Sequence, residues 1–166
     1  MTRGYHGTKR DAADEIVKTQ FKPCAPNSGS YLGEGVYFFD NQPSHAEDWA
    51  ENQVGNRVRG TPVAVIESEI RYGNLLNLTD HKHFFEVRRF KDEFEKKTKT
   101  KTTLATIIDI VAAQTKAEVV KATRIRANGV LMENSFSSDV ELILAVRELR
   151  NILSKRVVLS WMIGYK

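Results

Sequence analysis

The chain holds one cysteine, Cys24, in 166 residues. A lone thiol excludes an internal disulfide and any zinc cluster built on cysteines. No apolar run approaches the ~20 residues that a membrane-crossing helix needs. The first ten residues, MTRGYHGTKR, turn polar at once and give no apolar stretch of a secretory leader. The cytoplasm is the simplest expected address. Long Pro/Gly/Ser linkers, internal repeats and breaks in composition are missing too, so one domain over 1–166 is expected. Two phosphate-cradling sequences are absent, GxGxxG after a strand and GxxxxGK[ST]. There is no GxSxG elbow. His81 and His83 stand two apart without a third ligand nearby, and no metal is expected there.

What is present is ordinary for a globular chain, with 41% hydrophobic and 28% charged residues. Lys and Arg number 25 against 21 Asp and Glu, a formal net charge of +4. That balance admits an anionic ligand or a nucleic acid and requires neither. The basic excess gathers in KKTKTK (96–101). This run reads as a solvated loop between helices, or as a contact for a phosphate-bearing substrate or acidic partner.

Residues 3–6 read as a short lead-in. Thr8 and Asp11 have capping-box spacing, and Ala12, Ala13, Ile16 and Val17 follow at helical intervals, which predicts a helix over about 9–19. PCAPNSGS (23–30) is a loop by composition. Val36 to Phe39 reads as a strand entered through Gly33 and Gly35, where glycine allows a bulge or a close backbone approach to a ligand. Ser44 and Glu47 form a second capping box, opening a helix through Ala46, Trp49 and Ala50. Residues 62–70, PVAVIESEI, form the clearest buried strand. Residues 81–122 read as helical, with KKTKTK between two helices. Short strands are predicted at 129–132, 140–146 and 157–163. The pattern is α+β with mainly antiparallel pairing, not a doubly wound sheet.

Three segments stand out as candidates for chemistry: Tyr5-His6-Gly7-Thr8, Leu32-Gly-Glu-Gly-Val-Tyr37-Phe-Phe39, and a late acid in Asp-Val-Glu141-Leu-Ile-Leu-Ala-Val. In this order they resemble the ADP-ribosyltransferase superfamily. The branch is the one with a His–Tyr–Glu signature, shared by poly(ADP-ribose) polymerases and diphtheria-like toxins, in a small bacterial or phage-type form. The likeness runs through most of the chain: HGT, a helix, GEGVYFF, a helix with Ser44, Ala46 and Trp49, a core strand, and the late glutamate strand. NGVLMENSF followed by VELILAVRE looks like the C-terminal half of small bacterial members.

The resemblance implies a split β-sandwich, two small mainly antiparallel sheets flanked by helices, with a helical insertion at about 81–122. It implies NAD⁺ as co-substrate, extended in a cleft between the sheets, and no metal. Breaking the nicotinamide–ribose bond builds positive charge on the sugar, as in glycoside hydrolysis. Glu141 would stabilise that charge and hold the 2′-hydroxyl. Tyr37 would give an aromatic face to the cationic nicotinamide, with Trp49 or Tyr31 closing the other side. Gly7 would offer backbone N–H and C=O to the carboxamide. His6 would bond ribose hydroxyls, Thr8 the adenosine side, and Ser44 joins the binding set. Glu133 is the rival acid, with Glu148 behind it. Asp139, two before Glu141, stands where arginine-modifying relatives carry an acceptor-orienting carboxylate.

Taken singly, each residue has an ordinary role. His6 fits a turn near a helix start, Tyr37 a strand core, Ser44 a cap, Trp49 packing, and Glu141 a solvated strand end. The ordered set favours mono-ADP-ribosyl transfer to a macromolecule, protein or nucleic acid. A toxin, effector or phage-defence role restrained by an antitoxin-type protein is implied by the resemblance. An NAD⁺ glycohydrolase and an inactive module binding NAD⁺ or ADP-ribose remain alternatives. No membrane partner is expected.

Overall fold

The computed structural model describes residues 1–25, 30–125 and 140–164. Glu133, Asp139 and the strand expected at 129–132 lie outside them. The described elements run β1 (Thr2–Lys9), α1 (Arg10–Lys18), β2 (Val36–Asp40), α2 (Pro43–Trp49), β3 (Pro62–Ile70), β4 (Leu75–Asn77), α3 (His81–Thr98), α4 (Leu104–Thr115), β5 (Val119–Ile125), β6 (Val140–Val146) and β7 (Arg156–Met162). A π-helical turn, Ala50–Val54, continues α2.

The strands form one hydrogen-bonded sheet, ordered β4-β5-β6-β2-β1-β3-β7. All pairings are antiparallel except β4–β5. The α+β class holds. The expectation of two small sheets is corrected, because β1 and β2 join the halves. The join is narrow: only Gly4↔Asp40 and Tyr5↔Phe39 pair across it, while β1 pairs with β3 from Thr2 to Lys9.

Each face of the sheet buries its own core. Phe39, Val120, Ala122, Ile143 and Ala145 pack with Ile107, Ile108 and Ala112 of α4 on one side. Phe38, Val36, Ile66 and Leu144 pack with Ala13 and Phe21 on the other. The alternation of Phe38 and Phe39 between these cores is the period-2 signature of a strand covered on both faces. Burying a side chain such as Phe38, which is 1% exposed, stabilises the fold by ~1.5–3 kcal/mol.

Several boundaries differ from the sequence reading. Residues 3–6 are strand, not lead-in, because β1 continues through Lys9 beside β3. That keeps Thr8 extended, so the Thr8–Asp11 capping box does not form. Lys9 is the N-cap of α1 and makes no side-chain cap bond. Gln42, not Ser44, is the N-cap of α2, since Pro43 takes the first helical position. The helical stretch stops at Thr115. Lys116 adopts φ 54°, and the β-branched Val119 and Val120 open β5.

Candidate functional site

The site begins where two strands part. The Arg3 carbonyl accepts the Asn41 N–H at 2.8 Å, so Arg3 turns its backbone groups toward β2. Alternation along β1 then turns those of Tyr5 and Gly7 the same way. Pairing with β2 stops at Tyr5. A continued ladder would give the Tyr37 carbonyl to a β1 amide; here the His6 Nδ1 lies 2.8 Å from it. The N–H and C=O of Gly7 are left on an edge without strand pairing among the described residues. Glycine is required at this point, because a Cβ on residue 7 would overlap the Ala46 carbonyl and sit 3.0 Å from the Ala50 amide. The backbone of α2 therefore lies directly against β1.

A carbonyl only accepts, so His6 Nδ1 carries the proton and donates. Burial holds the imidazole below its ordinary pKa of 6.5, against the raising effect of the Tyr37 carbonyl. The ring is thus neutral at pH 7, with Nε2 as a lone-pair acceptor. Phe21 and Phe38 fix it edge-on, with ring centroids 5.3 and 5.9 Å away.

Strand alternation places the side chains of Tyr37, Phe39, Ile143 and Glu141 on the sheet face covered by α2. Those of His6 and Thr8 lie on the other face, with Phe38. Gly7, Tyr37, Trp49 and Glu141 are therefore brought to one face. His6 meets them only through the gap between the strands, at the Tyr37 carbonyl.

Glu141 is 0% exposed and pairs with Arg124, which stands opposite it on β5. Arg124 Nε and Nη2 both lie 2.5 Å from Glu141 Oε2. The same guanidinium lies over the Trp49 ring, 5.2 Å from its centroid. A cation is thus held between an indole face and a buried carboxylate. Arg124 itself is 26% exposed.

Tyr37 is tied to the preceding loop. Its hydroxyl accepts the Leu32 N–H at 2.8 Å and donates to the Gly33 carbonyl at 2.7 Å. Burial pushes the phenol pKa up. The loop is braced in turn by Asp109 of α4. The Asp109 Oδ1 accepts the Glu34 N–H at 2.8 Å and Arg147 Nη1 at 2.6 Å. Gly33 adopts φ +79°, and a Cβ there would overlap the Asp109 carboxylate. Through this loop α4 reaches the residue expected to carry the aromatic face.

Besides Thr8 on the opposite face, two more candidates stay apart from this group. Ser44 is exposed in the first turn of α2. Tyr31 is 42% exposed, with its hydroxyl 3.3 Å from the Thr123 carbonyl. It borders a hollow of about 270 Å³ with Leu32, Leu78, Phe84 and Ile108. A second hollow, about 430 Å³, lies between α3, α4 and β4, lined by Leu76, Val87, Phe90 and Val111. Neither is lined by His6, Tyr37 or Glu141; Arg124 fills the space between Trp49 and Glu141.

Sequence reasoning missed Arg124 and Asp109. Arg124 falls at the junction from the expected helical stretch into β5, and only the register Arg124↔Glu141 gives it a role. Asp109 lies 75 residues from its partner Glu34, and nothing in the pattern links the two.

Among the described residues, no group of three His, Cys, Asp or Glu could hold a metal ion. No helix among them is long and apolar enough to cross a membrane. No family model matches the chain. The chain is similar to an uncharacterized protein of Methanocaldococcus jannaschii, MJ0359, with 32% identity over 90 residues, 50% of this chain and 41% of the relative. The chain thus spans less than half the length of that relative.

Proposed function

We propose that the chain is a mono-ADP-ribosyltransferase that cleaves NAD⁺ and passes ADP-ribose to a macromolecular acceptor. The observation that carries this reading is the parting of β1 and β2 beside Gly7, with Tyr37, Trp49 and Glu141 on the face that α2 covers. In this reading the dinucleotide lies along the narrow join between the two halves of the single sheet.

The residues suit such a ligand. Gly7 offers one donor and one acceptor at adjacent backbone positions, matching a carboxamide. Trp49 and Glu141 already bind a cation between them, the Arg124 guanidinium. A nicotinamide ribosyl group presents positive charge of the same kind as the glycosidic bond lengthens. Arg124 leaves the indole face as the substrate enters, and Glu141 exchanges a guanidinium for the developing sugar cation. His6 acts from the opposite face, holding the Tyr37 carbonyl and so keeping β2 parted from β1 beside Gly7. The C1′–nitrogen bond breaks and its electron pair leaves with neutral nicotinamide. An acceptor oxygen or nitrogen then bonds to C1′, and its proton is released to solvent.

The test is NAD⁺ labelled in its adenylate half, incubated with lysate and the protein. Label is expected to become fixed to macromolecules with wild type and not with Glu141→Ala. Release by protease or by nuclease then assigns the acceptor to protein or nucleic acid. Equal fixation by both forms of the protein removes Glu141 from the mechanism, and none by either overturns the reading.

A binding-only module is the second reading, favoured by the Arg124–Glu141 pair, which occupies the carboxylate. Saturable NAD⁺ binding with no release of nicotinamide would support it.

A further inference from the structure

β2 cannot accompany β6 as far as Glu141. Its last pair with β6 is Phe39↔Ile143, and Asn41 turns the chain away in the left-handed region at φ 54°. The side chain of Gln42 spans the gap that follows. Its Oε1 accepts the Leu142 N–H at 2.7 Å, and its Nε2 donates to the Val140 carbonyl at 3.0 Å. A primary amide has the donor and the acceptor of a peptide group. Gln42 therefore continues the ladder with its side chain and holds the residues on both sides of Glu141.

The helix that Gln42 precedes does not use this amide. Gln42 is the N-cap of α2 yet makes no side-chain cap bond, and Pro43 has no N–H to satisfy. The other edge of this end of β6 is held by β5, through Arg124↔Glu141 and Ile125↔Val140. Arg124 fixes the carboxylate, and Gln42 fixes the backbone from which it projects.

We propose that Gln42 is a positioning residue for Glu141, a proposal that rests on the reading of Glu141 as the group facing the reacting sugar. Among residues of similar size and polarity, glutamine alone meets the requirement. Asparagine is one methylene short, glutamate cannot donate to Val140 when ionised, and methionine has the length without the hydrogen bonds. A misplacement of ~1 Å in such a carboxylate can cost ~10²-fold in rate.

The experiment measures kcat and KM for nicotinamide release from NAD⁺ by wild type, Gln42→Met, Glu141→Gln and the double variant, with hydrogen exchange at the Leu142 amide. Gln42→Met is expected to lower kcat by ~10–100-fold and leave KM within about threefold. It should cost nothing further in the Glu141→Gln background, since residues acting as a unit are not additive. Leu142 protection should fall. A kcat near wild type, or an equal loss in both backgrounds, overturns the positioning role while leaving the transferase reading intact. Unchanged Leu142 protection overturns the clamp whatever the activity. No release by wild type overturns the transferase reading, and the positioning role with it.

Discussion

His6 Nδ1 lies 2.8 Å from the Tyr37 carbonyl and takes the place of a backbone donor at the point where β1 leaves β2. One side chain thus closes the ladder on the β2 side and leaves the Gly7 edge open on the β1 side. The contact also links stability to pH. Burial keeps the folded imidazole below its ordinary pKa of 6.5. As pH falls through that value, the unfolded chain takes up a proton that the folded chain refuses, so the unfolded state gains. The stability contribution is full above pH ~6.5 and is lost below it. Thermal melting of wild type should fall between pH 7.5 and 5.5, and more steeply than that of His6→Gln. Parallel profiles for the two would contradict a buried neutral ring.

Gly7→Ala should destabilise the protein by ~1–3 kcal/mol, the cost of overpacking a close contact. The added methyl meets the Ala46 carbonyl and the Ala50 amide, both backbone, so relief requires α2 to move. A urea midpoint unchanged from wild type would show that α2 does not rest on β1 as described.

Removing the cation between Trp49 and Glu141 tests the electrostatics of the face. Arg124→Met leaves the Glu141 carboxylate buried without its guanidinium. A fully buried pair broken on one side costs ~3–5 kcal/mol. Partial exposure of Arg124 screens the interaction, and a loss of ~1–3 kcal/mol is expected. Arg124→Lys should recover little, because an ammonium has neither the planar stacking face nor the fork. Denaturant unfolding of the two variants measures both. A loss below ~0.5 kcal/mol in Arg124→Met would mean the pair contributes no more than an exposed one.

Tyr37→Phe deletes a hydroxyl that both accepts from Leu32 and donates to Gly33. Net hydrogen bonds of this kind contribute ~0.5–1.5 kcal/mol each. A loss of ~1–3 kcal/mol and faster hydrogen exchange at the Leu32 amide are expected. Unaltered exchange at Leu32 would show that the Tyr37 hydroxyl does not hold the loop.

Local pattern carried much of the fold. β3 matches the expected 62–70 and β6 the expected 140–146, because both alternate or run apolar over a full strand length. α1 lies within its expected span. β1 was hidden: GYHGT has two glycines and little apolar character, and only pairing along β3 makes it a strand. β5 was absorbed into the helical stretch because Ala117 and Val119 to Ala122 fit a helical face as readily as a strand. Within the site, Gly7, Tyr37, Trp49 and Glu141 could be picked out as residue types in order. The opposite facing of His6 followed from strand parity, which needs β1 to be recognised first. Arg124, Asp109 and Gln42 act through register and long-range approach, and a linear pattern does not encode those.

The rate of nicotinamide release from NAD⁺, measured for wild type and Glu141→Gln at matched folded fraction, addresses the proposed chemistry most directly. Release by wild type and a fall of ~10²–10³-fold or more in the variant is expected from loss of one charge aimed at the reacting sugar. Equal rates in the two proteins would remove Glu141 from the chemistry, and no release by wild type would contradict NAD⁺ cleavage at this face altogether.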